Sequence, residues 1–418
     1  MSGLTIRGRC LIAAGAAALL CSIVLGEKDL MRVAILLLAL PLVSAVVVAR
    51  TRFRLTCRRV LLPDHVAAGE RAEVQLTLEN VSLLPTAPLQ LEDELPYALG
   101  GPSRFLAERT AAGRRRQVSY SVRSDLRGRF RVGPLRIRFS DPFGLVEITR
   151  SFTAIEVLTV VPAISPLPAV RIGGAWSTGG SSSSRSVSSR GEDDAATREY
   201  RHGDDLRKVH GRSTARTGNL MVRREERPWQ ARASLLLDTR GGAHRGDAPE
   251  SSFEWAVSTF GSIGVHLLRR AYGISTVVGG RQIPVTAELG LLDRLAEVRL
   301  TRTDDLDELA TSMRAGDQDA TMVAVLGLLT TEQAQLLAGC RAPTTPSVAI
   351  LVESTSWLSL SDEAADRSLA LAAAAGTVFA TAGWRVVHAR RGDTAARVWG
   401  SAGLGESGLR ATFMEQGR

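Results

Sequence analysis

The chain has 418 residues, enough for two or three domains with cores of their own. A hydrophobic fraction of 44% excludes a disordered polypeptide, and the four cysteines, none in a CxxC or Cys/His ligand spacing, indicate neither a metal site nor a redox pair. The formal net charge of +9 comes mainly from arginine, with no recognition helix, zinc finger or aromatic-basic platform beside it, so no nucleic-acid partner is expected.

The apolar surplus sits at the front. Leu11 to Leu25 is free of charge, and so is Val33 to Ala49, interrupted only by Pro41. Each run is about 15–17 residues, at the short end of what crosses a bilayer as a helix. Gly26 to Arg32 between them reads as a tight polar turn, so residues 1–50 are expected to form a two-pass transmembrane hairpin. Arg7 and Arg9 precede the first run, and Arg50, Arg52, Arg54, Arg58 and Arg59 follow the second. Cationic flanks stay inside, which places both termini and the bulk of the chain in the cytoplasm. A cleaved signal peptide is the alternative; the absence of a small-x-small site before Gly26 and the immediate second apolar run argue against it.

Residues 51–165 read as strands. Val74, Leu76 and Leu78 alternate with polar neighbours, as do Val118, Tyr120 and Val122, and Leu135, Ile137 and Phe139. That period of two predicts an antiparallel β-sandwich with one wet face, spacing the rest of the chain from the bilayer. Asn80-Val81-Ser82 is formally a glycosylation acceptor, irrelevant to a cytoplasmic domain. Asp141-Pro142-Phe143-Gly144 reads as a structural turn with an anchoring phenylalanine.

Residues 166–232 hold a Ser/Gly-rich linker, Gly173 to Ser189, and then a charged signature. The linker lacks the Gly-Lys-Ser/Thr that a phosphate-cradling loop requires. Residues 233–418 change rhythm. Short apolar strands are predicted at Ser234 to Leu237, Ile274 to Val278, Thr321 to Leu326, Ser347 to Val352 and Trp384 to His388. Helices are expected between them near Ser251 to Tyr272, Thr331 to Ala338 and Asp362 to Ala382. This alternation implies a doubly wound α/β domain around a largely parallel sheet.

The signature is carried by Arg198, Tyr200, Gly203, Asp204, Arg207, Val209, Thr214, Ala215 and Arg216, with Leu220 to Glu225 continuing as a strand. With Arg127-Gly128-Arg129-Phe130-Arg131-Val132-Gly133-Pro134-Leu135 and Asp141 to Leu145 upstream, it resembles the bacterial domain of unknown function family 58. The family pattern looks like R-x-Y-x-x-G-D-x-x-R-x-[IV]-x-W-x-x-[ST]-A-R, and Gly211 stands here at the usual tryptophan. The resemblance implies a membrane-anchored protein with a von Willebrand factor A-like C-terminal domain. It also implies an assembly or maturation role beside an AAA+ ATPase of the MoxR type, often with transglutaminase-like proteins nearby. No reaction is implied.

Von Willebrand-type domains often hold Mg²⁺ through Asp-x-Ser-x-Ser after the first strand. Asp238, Arg240 and Gly242 occupy those positions here, so the acid survives, both hydroxyls are gone, and the metal site reads as degenerate with no cofactor expected. Asp238 is left as a loop cap or as a partner for an arginine. The segment from Arg198 to Arg216 admits three readings. Asp204, Asp205, His202 and His210 could serve as acids and bases; Arg198, Arg207 and Arg216 could bind phosphate or carboxylate; or the same charges could clamp the segment or face a partner protein. The mixed signs, the ring of Tyr200 and the turn at Gly203 favour the clamp or partner surface. The expectation is therefore a non-enzymatic membrane-anchored binding protein. The alternative is a metal- or phosphate-dependent enzyme using Asp204, Asp238 and nearby arginines.

Overall fold

The computed structural model describes residues 2–50, 55–82, 85–86, 88–140, 143–170, 197–200, 211–223, 231–341, 343, 345–359 and 361–403. The linker from Gly173 to Ser189 lies outside these residues. So do Asp141, Pro142, His202, Gly203, Asp204, Asp205, Arg207 and His210. The chain forms two compact units, one of Met1–Ile164 with Leu292–Val298 and one of Ser165–Leu291 with Arg299–Arg418.

The first unit begins with a short strand, β1 (Ser2–Leu4), and two apolar helices, α1 (Ile6–Leu25) and α2 (Lys28–Arg50). Thr5 caps α1 by accepting a hydrogen bond from Gly8 N at 3.2 Å. Both helices are long and apolar enough to cross a membrane, and little of either span is buried within the protein. The polar turn is shorter than the sequence suggests. Asp29 sits in the first turn of α2, where an acid suits the helix dipole, and pairs with Arg32 at 2.7 Å, so the helix starts at Lys28. Pro41 stays inside α2.

Strands follow: β2 (Leu55–Leu62), β3 (His65–Ala67), β4 (Arg71–Asn80), β5 (Leu89–Asp93), β6 (Ser103–Ala107), β7 (Arg115–Arg123), β8 (Gly128–Val132), β9 (Leu135–Ser140), β10 (Val146–Phe152) and β11 (Glu156–Val161). They build one sheet in the order β1-β10-β9-β5-β6, another in the order β2-β4-β7, and a small one in the order β3-β11-β8. Pairing is antiparallel except between β3 and β11. Val74, Leu76 and Leu78 of β4 share one core with Leu89 and Leu91 of β5 and Ile137 and Phe139 of β9, as the alternation requires. Asn80 is fully buried and donates to the carbonyl of Thr110, which withdraws it from any role as a surface acceptor for sugar.

The second unit opens with β12 (Thr197–Glu199), the short helix α3 (Gly211–Thr217) and β13 (Met221–Arg223). The main elements are β14 (Arg232–Leu237), α4 (Ser252–Arg269), β15 (Gly273–Val278), β16 (Arg281–Val285), α5 (Glu288–Glu297, of which the part from Leu292 belongs to the first unit), α6 (Asp307–Ala315), β17 (Thr321–Leu326), α7 (Thr331–Ala338), β18 (Ser347–Val352), α8 (Asp362–Thr381), β19 (Arg385–Ala389) and α9 (Ala395–Gly403). They form a six-stranded sheet, β16-β15-β14-β17-β18-β19, parallel except for the edge strand β16.

Helices cover both faces of that sheet. Leu236, Met322, Ala324 and Leu351 pack with Leu309, Met313, Leu337, Phe379 and Trp384 on one face. Leu235 points to the other, beside Gly264 of α4. Helix boundaries follow local chemistry. Ser251 caps α4, and Thr330 with Gln333 closes a capping box on α7. The edge strand β16 and helices α5, α6 and α9 are additions to the elements read from sequence.

Candidate functional site

The C-terminal ends of a parallel sheet are where α/β domains place their sites, above all where successive connections leave in opposite directions. Here β14 is central, with β15 on one side and β17 on the other. Asp238 follows β14 immediately and is buried, its N–H donating to Val325 O at 2.9 Å.

Its carboxylate is saturated by the chain itself. Oδ1 accepts from the backbone N–H and the Nε of Arg240, both at 3.0 Å. Oδ2 accepts from Arg240 Nη2 at 2.8 Å and from Gly327 N at 3.1 Å. A carboxylate offers about four lone-pair positions, and four N–H donors take them. The guanidinium is held from the other side by Leu328 O at 3.2 Å and is buried with its partner. Arginine is always charged, so this is a permanent cation fixed on the carboxylate by two converging bonds.

Beneath the pair lies His244. Its Nε2 donates to the Asp238 carbonyl at 3.0 Å, and its Nδ1 accepts from Ser252 Oγ at 3.3 Å, a pattern that fits the neutral ring. Burial holds its pKa below the ordinary 6.5, against the opposing pull of Asp238. At the rim, the exposed N–H of Gly242 donates to the Asp304 carboxylate at 3.2 Å.

A second acid at this end of the sheet is neutralised in the same manner. Glu353, just after β18, is buried and accepts from Arg390 Nε at 2.6 Å, with His388 Nδ1 3.2 Å away. Burial alone would raise its carboxyl, but the bonds from His388 and Arg390 outweigh it and hold the pKa below the usual glutamate value. Among the described residues no group of three or more His, Cys, Asp or Glu side chains is placed to hold a metal ion.

Of the signature, Arg198, Tyr200, Thr214, Ala215 and Arg216 are described. Arg198 lies in β12, paired antiparallel with Val222 of β13. Tyr200 N donates to Leu220 O at 2.8 Å, and Thr214 Oγ1 of α3 accepts from Met221 N at 3.0 Å. Arg216 sits in the last turn of α3, where a cation complements the helix end. These bonds join strand, helix and returning strand into one small hairpin. Gly211 opens α3, with no described atom within 4 Å of where a Cβ would stand.

The upstream arginine-glycine element carries a constellation the sequence reading did not single out. Arg59 of β2 donates to both carboxylate oxygens of Asp93 at the end of β5, through Nη2 at 2.5 Å and Nε at 3.3 Å. Tyr120 of β7 donates to the same carboxylate at 2.6 Å. Burial, and then the adjacent carboxylate, drive the tyrosine pKa upward. Burial likewise raises the neighbouring Cys57 thiol to about 11, which leaves it unreactive at neutral pH. Gly133 faces the guanidinium at φ +100, and a Cβ there would lie 2.5 Å from Arg59 Nη1. Only glycine fits. The signal was available: Leu55, Cys57, Arg59 and Leu61 share one phase of β2, as Leu89, Leu91 and Asp93 do in β5. A charge in the apolar phase of a strand marks a buried partner.

Phe143 and Gly144 are the described part of the Asp141 to Gly144 turn. Gly144 adopts φ +67, and its carbonyl accepts from Thr5 Oγ1 at 2.6 Å. Thr5 N donates to Leu145 O at 2.9 Å.

No protein-family model matches the chain, and no curated protein matches it. Solved structures similar to parts of it include the CARDB domain of the PF1109 protein of Pyrococcus furiosus in complex with di-metal ions, at 12% identity, 26% of this chain, 94% of that chain and TM-score 0.20. The putative ApaA protein of Bordetella pertussis matches at 11% identity, 26% and 94% coverage, and TM-score 0.21. A β-glucosidase from Listeria innocua matches at 15% identity, 26% and 16% coverage, and TM-score 0.17. Similarity at these scores says nothing about what this chain does.

Proposed function

We propose that the protein is a membrane-anchored docking module. The hairpin tethers it with both termini and the bulk of the chain in the cytoplasm, and the C-terminal domain acts as a von Willebrand factor A-like binding domain. One observation carries this reading: the four acceptor positions of Asp238 are filled by Arg240 and Gly327. The carboxylate that would lead a Mg²⁺ site has a built-in cation, so the rim of the sheet is a fixed polar surface with no vacant metal position at that acid. Glu353 beneath Arg390 continues the same pattern. The enzyme alternative needs Asp238 available for chemistry, and that geometry argues against it.

The partner follows from the resemblance: an AAA+ ATPase of the MoxR type, with the segment from Arg198 to Arg216 contributing contacts. The test is capture. Full-length protein purified from membranes should retain the purified ATPase, the complex should survive a chelator, and Arg207→Ala should weaken it. No retention, or retention abolished by chelation, would overturn the proposal.

A further inference from the structure

We infer that the Phe143 turn is a second membrane contact, seating in the headgroup layer beside the root of the hairpin; this rests on the membrane reading above. The sequence led us to expect a sandwich that stands off from the bilayer. Instead, the antiparallel sheet takes β1 as its edge strand, with Leu4 opposite Val146, and α1 begins two residues later. Thr5 fastens this junction twice, through its hydroxyl to Gly144 O and its amide to Leu145 O. Gly8, one turn into α1, lies so close that a Cβ on it would overlap the Leu145 carbonyl oxygen.

Gly144 and Leu145, directly after Phe143, are thereby held at the level of the first turn of α1. That turn carries Arg7 and Arg9, both exposed, and the apolar span follows directly. A helix crossing from there puts its first-turn arginines among lipid phosphates, where an anionic surface attracts them. Phe143 occupies this level too and is 60% exposed. An exposed aromatic ring next to Gly144, which Arg7 approaches, on a chain tied to the root of an apolar helix matches the composition of interfacial anchors, which bury their apolar face about 5–10 Å into the headgroup boundary. The surface the ring meets is the phospholipid headgroup layer. Two fixed points, the hairpin and this ring, would hold the sheet at one orientation to the membrane.

The test uses full-length Phe143→Trp reconstituted into vesicles of phosphatidylglycerol and phosphatidylcholine with brominated acyl chains. All six native tryptophans lie after residue 175, so wild-type protein supplies the background emission. Phe143 is exposed, and the substitution should leave folding intact. The expected result is that the emission added by F143W is lost in brominated vesicles and shielded from aqueous iodide. Added emission that survives bromine and is quenched by iodide would overturn the inference. Flotation keeps the two failures apart: if wild-type protein does not float with the vesicles after alkaline washing, the anchor itself is wrong. If it floats and the F143W signal stays aqueous, only the Phe143 contact is wrong.

Discussion

Each unit buries one aspartate against one arginine, and the two solutions differ in reach. In the first unit Asp93 gathers Arg59 and Tyr120 from strands far apart in sequence, so the carboxylate ties β2, β5 and β7 across the core. In the second, Asp238 is met by a residue two positions on, with Gly327 closing from the next strand end. The first pair is held by strand register, with Arg59 also donating to Ala154 O at 2.7 Å. The second is local to the loop after β14, which backbone hydrogen bonds tie to Thr301. A buried charge pair is therefore a clamp in one place and a plug in the other.

Removing the acids separates the two cases. Asp93→Ala strands a guanidinium inside the sheet and should cost about 3–5 kcal/mol, read as a lower denaturant midpoint for the first unit. Asp238→Ala should cost less, about 1–3 kcal/mol, since it removes bonds within one loop and to Gly327, whereas Asp93→Ala unties three strands. Equal losses would erase the distinction. Tyr120→Phe removes one bond to a carboxylate that keeps its arginine, with an expected loss of about 1–2 kcal/mol by the same measurement.

The smallest effect is in pH. His244 has a folded pKa below 6.5, so on acidification the unfolded chain takes up a proton that the folded chain refuses. Stability from this group is complete above about pH 6.5 and declines below it. Glu353 acts lower down: its depressed pKa contributes stability above the unfolded value of 4.5 that is lost as pH falls through the folded one. Denaturant midpoints should therefore fall in two steps, the upper one reduced in His244→Gln, with the remainder from His266, whose pKa burial and Arg270 also lower.

Much of the second unit was legible because buried parallel strands are continuous apolar runs. Thr321 to Leu326 and Ser347 to Val352 appear with the bounds read from sequence, as does the helix Thr331 to Ala338. The short amphipathic pieces were not. Helix α6 buries little beyond Leu309, Ala310 and Met313, too few positions to stand out from a polar loop. The two long apolar helices were legible as apolar runs, yet their ends were set by polar residues the runs exclude, Thr5 at one and Lys28 at the other. The pairing of β1 with β10 joins residues more than a hundred positions apart and left no local trace. At the candidate site, the sequence left Asp238 as a loop cap or an arginine's partner, and it pairs with Arg240. Glu353, His388 and Arg390 were not legible, because their convergence depends on the register of β18 with β19.

The central claim is that Arg240 takes the place of a metal on Asp238. Calorimetric titration of the purified full-length protein with Mg²⁺ tests it most directly. The expected result is no saturable heat in the wild-type protein or in Asp238→Ala. Saturable binding in the wild type that vanishes in Asp238→Ala would contradict the account.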